Sequence, residues 1–376
     1  MKLYTQGYNL MTDNLSNPKT QSLGFKINYT KFSDLTKYST NLVLLKPQLA
    51  YDPKATNLKE LYDLAYGLWS ARANNSYSDF IYPAKHFYPK DSQPWAIAEE
   101  KYDGVRCQFL ITYNKSKGIN ISAISRAGKP ITSVNHLINA LINLSYDNLD
   151  LIAYEPYSLV IDCELIVHGK PFPYTNGLVN RNLTSLDTEE LSAIVIQAYY
   201  INNLGQTVLT KTHNELVRLT QPLFRFSMPK YSLINSYDSL EKFYNSLLPT
   251  SEGLILKSLD YHHYNGRTKL WLKFKRRITG VFKVIGYSLG EGKYTNNLGA
   301  ITVMDADGLT SLVGTGFTDQ ERSSLIAKFA ESKELFVKIS YMTKVGDSLR
   351  EASYQGIAEP QPLSKFITRG DNDYTI

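Results

Sequence analysis

The sequence predicts an α+β protein: antiparallel sheets with flanking helices in a first, larger domain, then a small five-stranded β-barrel. Three observations carry this. From about residue 96 to 275, short apolar runs alternate with polar turns, the mark of antiparallel strands. Segments with helical spacing of apolar residues lie among those runs. Beyond residue 280 the strands shorten and glycine-rich turns separate them, as in a closed β-structure.

Taken in order, residues 1–50 are rich in Asn, Thr, Ser and Tyr and suggest short strands and loops with no assigned role. The spacing of Leu58, Leu61, Tyr62, Leu64, Ala65, Leu68 and Trp69 predicts an amphipathic helix over 57–73. Prolines 83, 89 and 94 then mark an extended approach to the next strand. Strands are predicted over 105–112 and 119–124, a helix over 131–144, and strands over 159–167 and 193–201. Residues 212–220 and 236–247 suit helices. Strands over 254–257 and 269–275 close the first domain, and 281–287, 300–305, 309–314 and 335–341 supply strands of the second. The expected domains are 91–277 and 281–376, with 1–90 an extension of which part can complete the first domain's surface.

The chemistry centres on Ala98 to Phe109. Lys101 stands between the carboxylates Glu99 and Glu100 and a turn made by Asp103 and Gly104, with Arg106 just beyond. Glycine admits a close ligand, arginine pairs with phosphate or ribose oxygens, and an amine can attack phosphorus. Lys, Asp, Gly and Arg at these fixed positions arise by chance in about one chain in four hundred of this length. Four further segments follow in order. They are Ser125-Arg126-Ala127-Gly128-Lys129, then Asp162-Cys163-Glu164 in an apolar strand, Ser251-Glu252-Gly253 at the mouth of another, and Lys269 to Lys275. Acids in an apolar strand are costly unless they are paired or bind something, so Glu164 is expected to face a site. Alternation places Trp271, Lys273 and Lys275 on one face, where two lysines repel unless an anion lies between them.

With these segments in this order, the chain resembles the covalent nucleotidyltransferases, and among them the small ATP-dependent DNA ligases of bacteriophages, from Gln93 to Asp373. The resemblance implies a nucleotidyltransferase (adenylation) domain followed by an OB-fold. It also implies sealing of 5′-phosphate/3′-hydroxyl nicks in duplex DNA through a lysine-AMP intermediate on Lys101, with ATP and Mg²⁺ or Mn²⁺. By the same resemblance Glu99 receives the adenine amino group, Glu100 lends its peptide, and Tyr199 stacks on the base, with Tyr102 also in the nucleotide-binding set. Arg106 and Arg126 hold ribose or phosphate, Glu164 the ribose and with Glu252 the metal, and Lys273 and Lys275 the triphosphate. Arg126, Lys293, Arg350 and Arg369 are the implied DNA contacts. Residues 173–181 resemble the family's polar loop between motifs. Cys163 stands where the family usually has glycine, a small side chain expected to be tolerated although it could crowd the ribose. The acid common in the family's hinge is replaced in Arg276 to Gly280, and the last basic segment matches poorly, with Asn372 where a lysine is usual.

Bulk properties agree. The net charge of +6 suits a polyanionic partner, and residues 257–283 concentrate it, with eight basic residues against Asp260. Two cysteines exclude a disulfide framework and a four-cysteine zinc site. The missing four-cysteine finger disfavours the NAD-dependent ligases. No apolar run reaches the roughly 20 residues needed to cross a bilayer, and the polar start lacks a signal-peptide core. The expectation is a cytoplasmic monomer acting on nicked DNA. Two alternatives stand beside it: an RNA ligase or capping-type nucleotidyltransferase, and a non-catalytic nucleic-acid end-binding protein.

Overall fold

The computed structural model describes residues 4–8, 27–31, 47–73, 93–114, 118–147, 157–181, 186–248, 250–259, 262–331, 334–346 and 348–359. Strands β1 (Tyr4–Tyr8) and β2 (Ile27–Lys31) form an antiparallel pair. There follow β3 (Gln48–Tyr51), α1 (Leu58–Ala73), β4 (Ala96–Lys101), β5 (Val105–Asn114), β6 (Gly118–Ser125), α2 (Asn135–Asp147), β7 (Ser158–Ile166) and α3 (Phe172–Val179). Next come β8 (Ser192–Ile201), β9 (Thr207–Thr210), α4 (His213–Thr220), β10 (Phe226–Ser227), β11 (Tyr231–Ile234), α5 (Tyr237–Asn245), β12 (Gly253–Ser258) and β13 (Gly266–Lys275). The rest comprises β14 (Ile278–Leu289), β15 (Leu298–Met304), β16 (Thr310–Val313), α6 (Asp319–Glu331), β17 (Phe336–Tyr341), β18 (Thr343–Val345), β19 (Ser348–Arg350) and β20 (Ser353–Ile357). The fold is mixed and sheet-rich. The chain divides into two compact units, Met1–Phe274 and Lys275–Ile376.

The first unit holds two sheets. One runs β10-β8-β7-β5-β6, with β9 also on β8; the other runs β11-β4-β12-β13-β3. One face of the first sheet packs on α2, α3 and α4 through Leu137, Leu141, Leu178, Leu216 and Leu219. The second sheet packs on α1 and α5 through Leu61, Trp69, Leu240 and Phe243. The helices are amphipathic and therefore cover apolar sheet faces. Strand β3 comes from the segment to which the sequence assigned no role, yet it pairs in parallel with β13.

Two local readings change. Residues 173–181 are not a polar loop: α3 starts behind Pro171, with Pro173 in its first turn, and buries Thr175, Leu178 and Val179. The helix expected at 131 starts instead at Asn135. Before it, Ser133 Oγ donates to the Val179 carbonyl at 2.9 Å, which ties this stretch to the end of α3.

The second unit's main sheet is antiparallel and ordered β16-β15-β14-β17-β20, and β18 and β19 form a separate hairpin. The expected barrel is therefore seen as an open five-stranded ladder, without β16–β20 pairing among the described residues. One bond, from Tyr354 N to the Thr315 carbonyl at 2.9 Å, joins the chain just past β16 to β20. Gly316 sits there at φ +94°, and a Cβ would lie 2.3 Å from the Tyr354 carbonyl oxygen. No described helix is long and apolar enough to cross a membrane.

Candidate active site

Antiparallel pairing sets Lys101, the last residue of β4, opposite Gly253, the first of β12. Glu252, one residue earlier, reaches the lysine, and its Oε2 accepts a charge-assisted hydrogen bond from Lys101 Nζ. In the other sheet Arg106 on β5 lies opposite Glu164 on β7. Successive residues of a strand face opposite ways, so Cys107 and Cys163, also paired in register, turn into the apolar core and are fully buried. Cys163 therefore points away from Glu164 and does not crowd its face. Burial pushes both thiols well above the ordinary cysteine range.

Arg106 is anchored from behind. Its Nε and Nη2 donate to the two carboxylate oxygens of Asp162, and Nη2 also donates to the Gln48 carbonyl at 3.1 Å. Burial alone would weaken the guanidinium's hold on its proton, but the adjoining Asp162 more than offsets that. For Glu164, burial pushes the carboxyl up to about 7; Arg106 and Lys101 pull it down only in part, while Glu252 and Asp162 push it further up.

This shift has a stability consequence. The ordinary value is 4.5, so between about pH 5 and 7 the folded chain holds a proton that the unfolded chain has released. Stability thus falls as pH rises through that window, and the full cost is present above it. Without divalent metal, Glu164→Gln is expected to raise the melting temperature relative to wild type more at pH 8 than at pH 5. Equal shifts at both pH values would contradict the assignment.

Gly104 makes this junction possible. A β-carbon there would lie 2.2 Å from the Leu165 carbonyl oxygen and 2.9 Å from Glu164 Cγ. Gly104→Ala must lift the turn after Lys101 off β7. We expect a loss of about 2 kcal/mol or more in urea unfolding. Wild-type stability of the variant would show that the turn tolerates the displacement.

A pocket lies between the two sheets, lined among others by Gln48, Glu99, Ile196, Lys257 and Trp271. Glu99 pairs with Lys257 at 2.6 Å, both side chains being less than one-tenth exposed. Burial moves both toward their neutral forms, raising Glu99 and lowering Lys257. Lys257 also donates to the Ile196 carbonyl at 2.9 Å and lies 4.3 Å from the centre of the Trp271 ring. The Glu100 carboxylate bonds Tyr102, whose hydroxyl is pushed up to about 12 by burial and then by that charge.

Several predicted residues are placed otherwise. Tyr199 does not offer its face to a ligand: it is 1% exposed, with the His263 ring stacked on it at 3.7 Å and Gln108 Nε2 donating to its hydroxyl at 3.0 Å. Strand β8 carries a bulge here: Asp162 pairs with Gln197 and Cys163 with Val195, leaving Ile196 as the extra residue, so Ile196 and Gln197 both line the pocket while Tyr199 keeps the face of Asp162 and is covered by His263. Lys273 and Lys275 each have a carboxylate partner of their own. Lys273 pairs with Asp52 at 3.4 Å. Lys275 belongs to the second unit, where Glu351 holds it at 2.6 Å.

Arg126 is exposed in the turn after β6, and Lys293 pairs with Asp319 at 2.8 Å on the surface. Arg350 is half-buried in β19, whereas Arg369 lies outside the described residues. Sequence reading missed roles for Gln48, Asp52, Asp162, Gln197, Lys257 and His263. A charge inside an apolar strand was a usable signal for Asp162 and Lys257; the others carried none. No group of three or more His, Cys, Asp or Glu side chains among the described residues could hold a metal.

Residues 84–275, just over half of the chain, match the family model of the ATP dependent DNA ligase domain. The chain belongs to the ATP-dependent DNA ligase family. A DNA ligase of this family is an enzyme that forms phosphodiester bonds through a lysine-AMP intermediate. The ligase also shares its fold with solved structures. Pmar-Lig_Pre. is 20% identical over 88% of this chain and 70% of its own, with a TM-score of 0.62. Pmar-Lig_PreS3 is 21% identical over 86% and 70%, with a TM-score of 0.59. A Lig E DNA ligase is 18% identical over 74% and 99%, with a TM-score of 0.52. No curated protein matches the ligase.

Proposed function

We propose that this ligase seals nicked duplex DNA as a monomer, with Lys101 as the nucleophile and the pocket beside Glu99 as the seat of the adenine ring. The observation that carries the reading is the Lys101–Glu252 contact at the junction of the two sheets, with Glu164 and Arg106 beside it. An ammonium cannot attack phosphorus. The carboxylate touching Nζ, Oε2 of Glu252, is the atom placed to take its proton or to let the amine turn away.

Nζ then bonds to the α-phosphorus as the bond to pyrophosphate breaks, giving lysine-AMP. AMP passes to the 5′-phosphate of the nick, and the 3′-hydroxyl displaces it. Glu99 and Lys257 line the base pocket together with Ile196 and Trp271. Arg106, held flat by Asp162, presents charge to ribose or phosphate.

Glu252 and Glu164 fit Mg²⁺ or Mn²⁺. They are hard oxygen donors around one cation, and burial leaves Glu164 short of positive charge. Mg²⁺ typically takes one or two carboxylates and completes its shell with water and phosphate, and it would supply charge neutralisation of the triphosphate. The second unit's five-stranded sheet and helix α6 are read as an OB-fold that grips the duplex, with Lys293 and Arg350 on it and Arg126 on the first unit as DNA contacts.

The test is incubation with α-labelled ATP and Mg²⁺ in the absence of DNA. Label should stay on the protein through denaturation, leave when nicked duplex DNA is added, and reappear as AMP beside a sealed strand. A protein that takes no label, or that discharges equally well onto nicked RNA, would refute the assignment.

A further inference from the structure

Behind Arg106 a line of hydrogen bonds leads out of the motifs to a histidine. Arg106 donates to both oxygens of Asp162, which is fully buried. Gln197 Nε2 donates to Asp162 Oδ2 at 3.1 Å and lies 3.0 Å from His263 Nδ1. His263 is 8% exposed. Its ring is stacked on Tyr199, its backbone N–H donates to Thr210 Oγ1 at 2.9 Å, and its Nε2 is 3.3 Å from Asn265 Oδ1.

Donor counting fixes the roles. A carboxylate gripped on both oxygens by arginine only accepts, so the Gln197 group facing it must be the amide nitrogen; a flipped amide would set oxygen against oxygen at 3.1 Å. That nitrogen carries two hydrogens, one for Asp162 and one for His263. The Nδ1 of His263 must therefore be the unprotonated, accepting nitrogen, leaving Nε2–H to donate to Asn265.

We infer that His263 is a positioning residue for ATP binding: as the neutral Nε2–H tautomer it orients Gln197, which fixes Asp162 and so aims Arg106. The inference rests on the reading that Arg106 holds the nucleotide. Without the histidine acceptor the Gln197 amide has a buried hydrogen unsatisfied and is released to rotate, and Asp162 loses a fixed neighbour. The bulge at Ile196 is what brings Gln197 onto the same face as Asp162 and Tyr199.

The experiment uses the full chain with α-labelled ATP and Mg²⁺, without DNA. His263→Ala is expected to raise the ATP concentration that gives half the maximal single-turnover labelling rate, the KM of this step, about tenfold while the rate at saturating ATP stays within about threefold. His263→Asn, whose side-chain oxygen can take the place of Nδ1, should restore the KM to within about threefold of wild type. Nitrogen NMR of wild type labelled at histidine should show, for His263 near neutral pH, a hydrogen on Nε2 and none on Nδ1. An unchanged KM in His263→Ala, an asparagine variant as poor as alanine, or a protonated Nδ1 would each overturn the inference. Should the alanine variant fail to fold, the asparagine variant and the NMR signal still decide. A wild type that takes no label would overturn the underlying ligase reading, whereas the tautomer is read without any reaction.

Discussion

Lys101→Ala is expected to abolish covalent labelling by α-labelled ATP, a loss of at least about four orders of magnitude, while leaving the fold intact. The nucleophile is covalently consumed, so no neighbour can substitute by charge alone, and positioning by the remaining site cannot create an N–P bond. Lys101 is only part-buried, with 22% of its side chain exposed. Its partner Glu252 is buried, with 4% of its side chain exposed, so losing the lysine's charge should also lower the melting temperature without unfolding the chain. The same variant should still seal a nick whose 5′-phosphate already carries AMP, because that last displacement uses the DNA 3′-hydroxyl and not the lysine. Persistent labelling of Lys101→Ala would transfer the nucleophile to another residue and dismantle the site.

Asp162→Ala is expected to cost about 3–5 kcal/mol in urea unfolding, the penalty usual when one partner of a buried ion pair is deleted. Asp162 is fully buried and its partner Arg106 has only 15% of its side chain exposed, so water cannot compensate the guanidinium. The Gln197 amide loses an acceptor in the same step. Arg106 would be left to the Gln48 carbonyl and would turn toward Glu164, opposite it in register. ATP binding should weaken together with stability. A loss below about 1 kcal/mol would mean that Arg106 finds solvent or another acid, and its proposed rigidity would be refuted.

How far the sequence could be read depended on how local each determinant was. Lys101, Gly104 and Arg106 share one strand-turn-strand, and Glu164 and Glu252 mark their strands as charges in apolar runs, so residue type and spacing alone make them candidates. Helices α1, α4 and α5 were visible because their apolar faces repeat at helical spacing. The failures involve elements that meet only after folding. The resemblance pointed to Tyr199, whose ring is covered by that of His263 from a distant stretch of the chain. Lys273 and Lys275 looked like a pair awaiting an anion. Their carboxylates, Asp52 and Glu351, come from stretches far away in the chain.

The sequence by itself determined which chemistry this protein can perform, because a nucleophilic amine, a turn without a β-carbon and acids embedded in apolar strands are properties of residue type and spacing. Only the tertiary structure decided which side chains stand behind that chemistry. Sheet register and a single bulge bring Gln48, Asp162, Gln197 and His263 together behind Arg106, and such contacts depend on how strands pair across the chain, which no local pattern records.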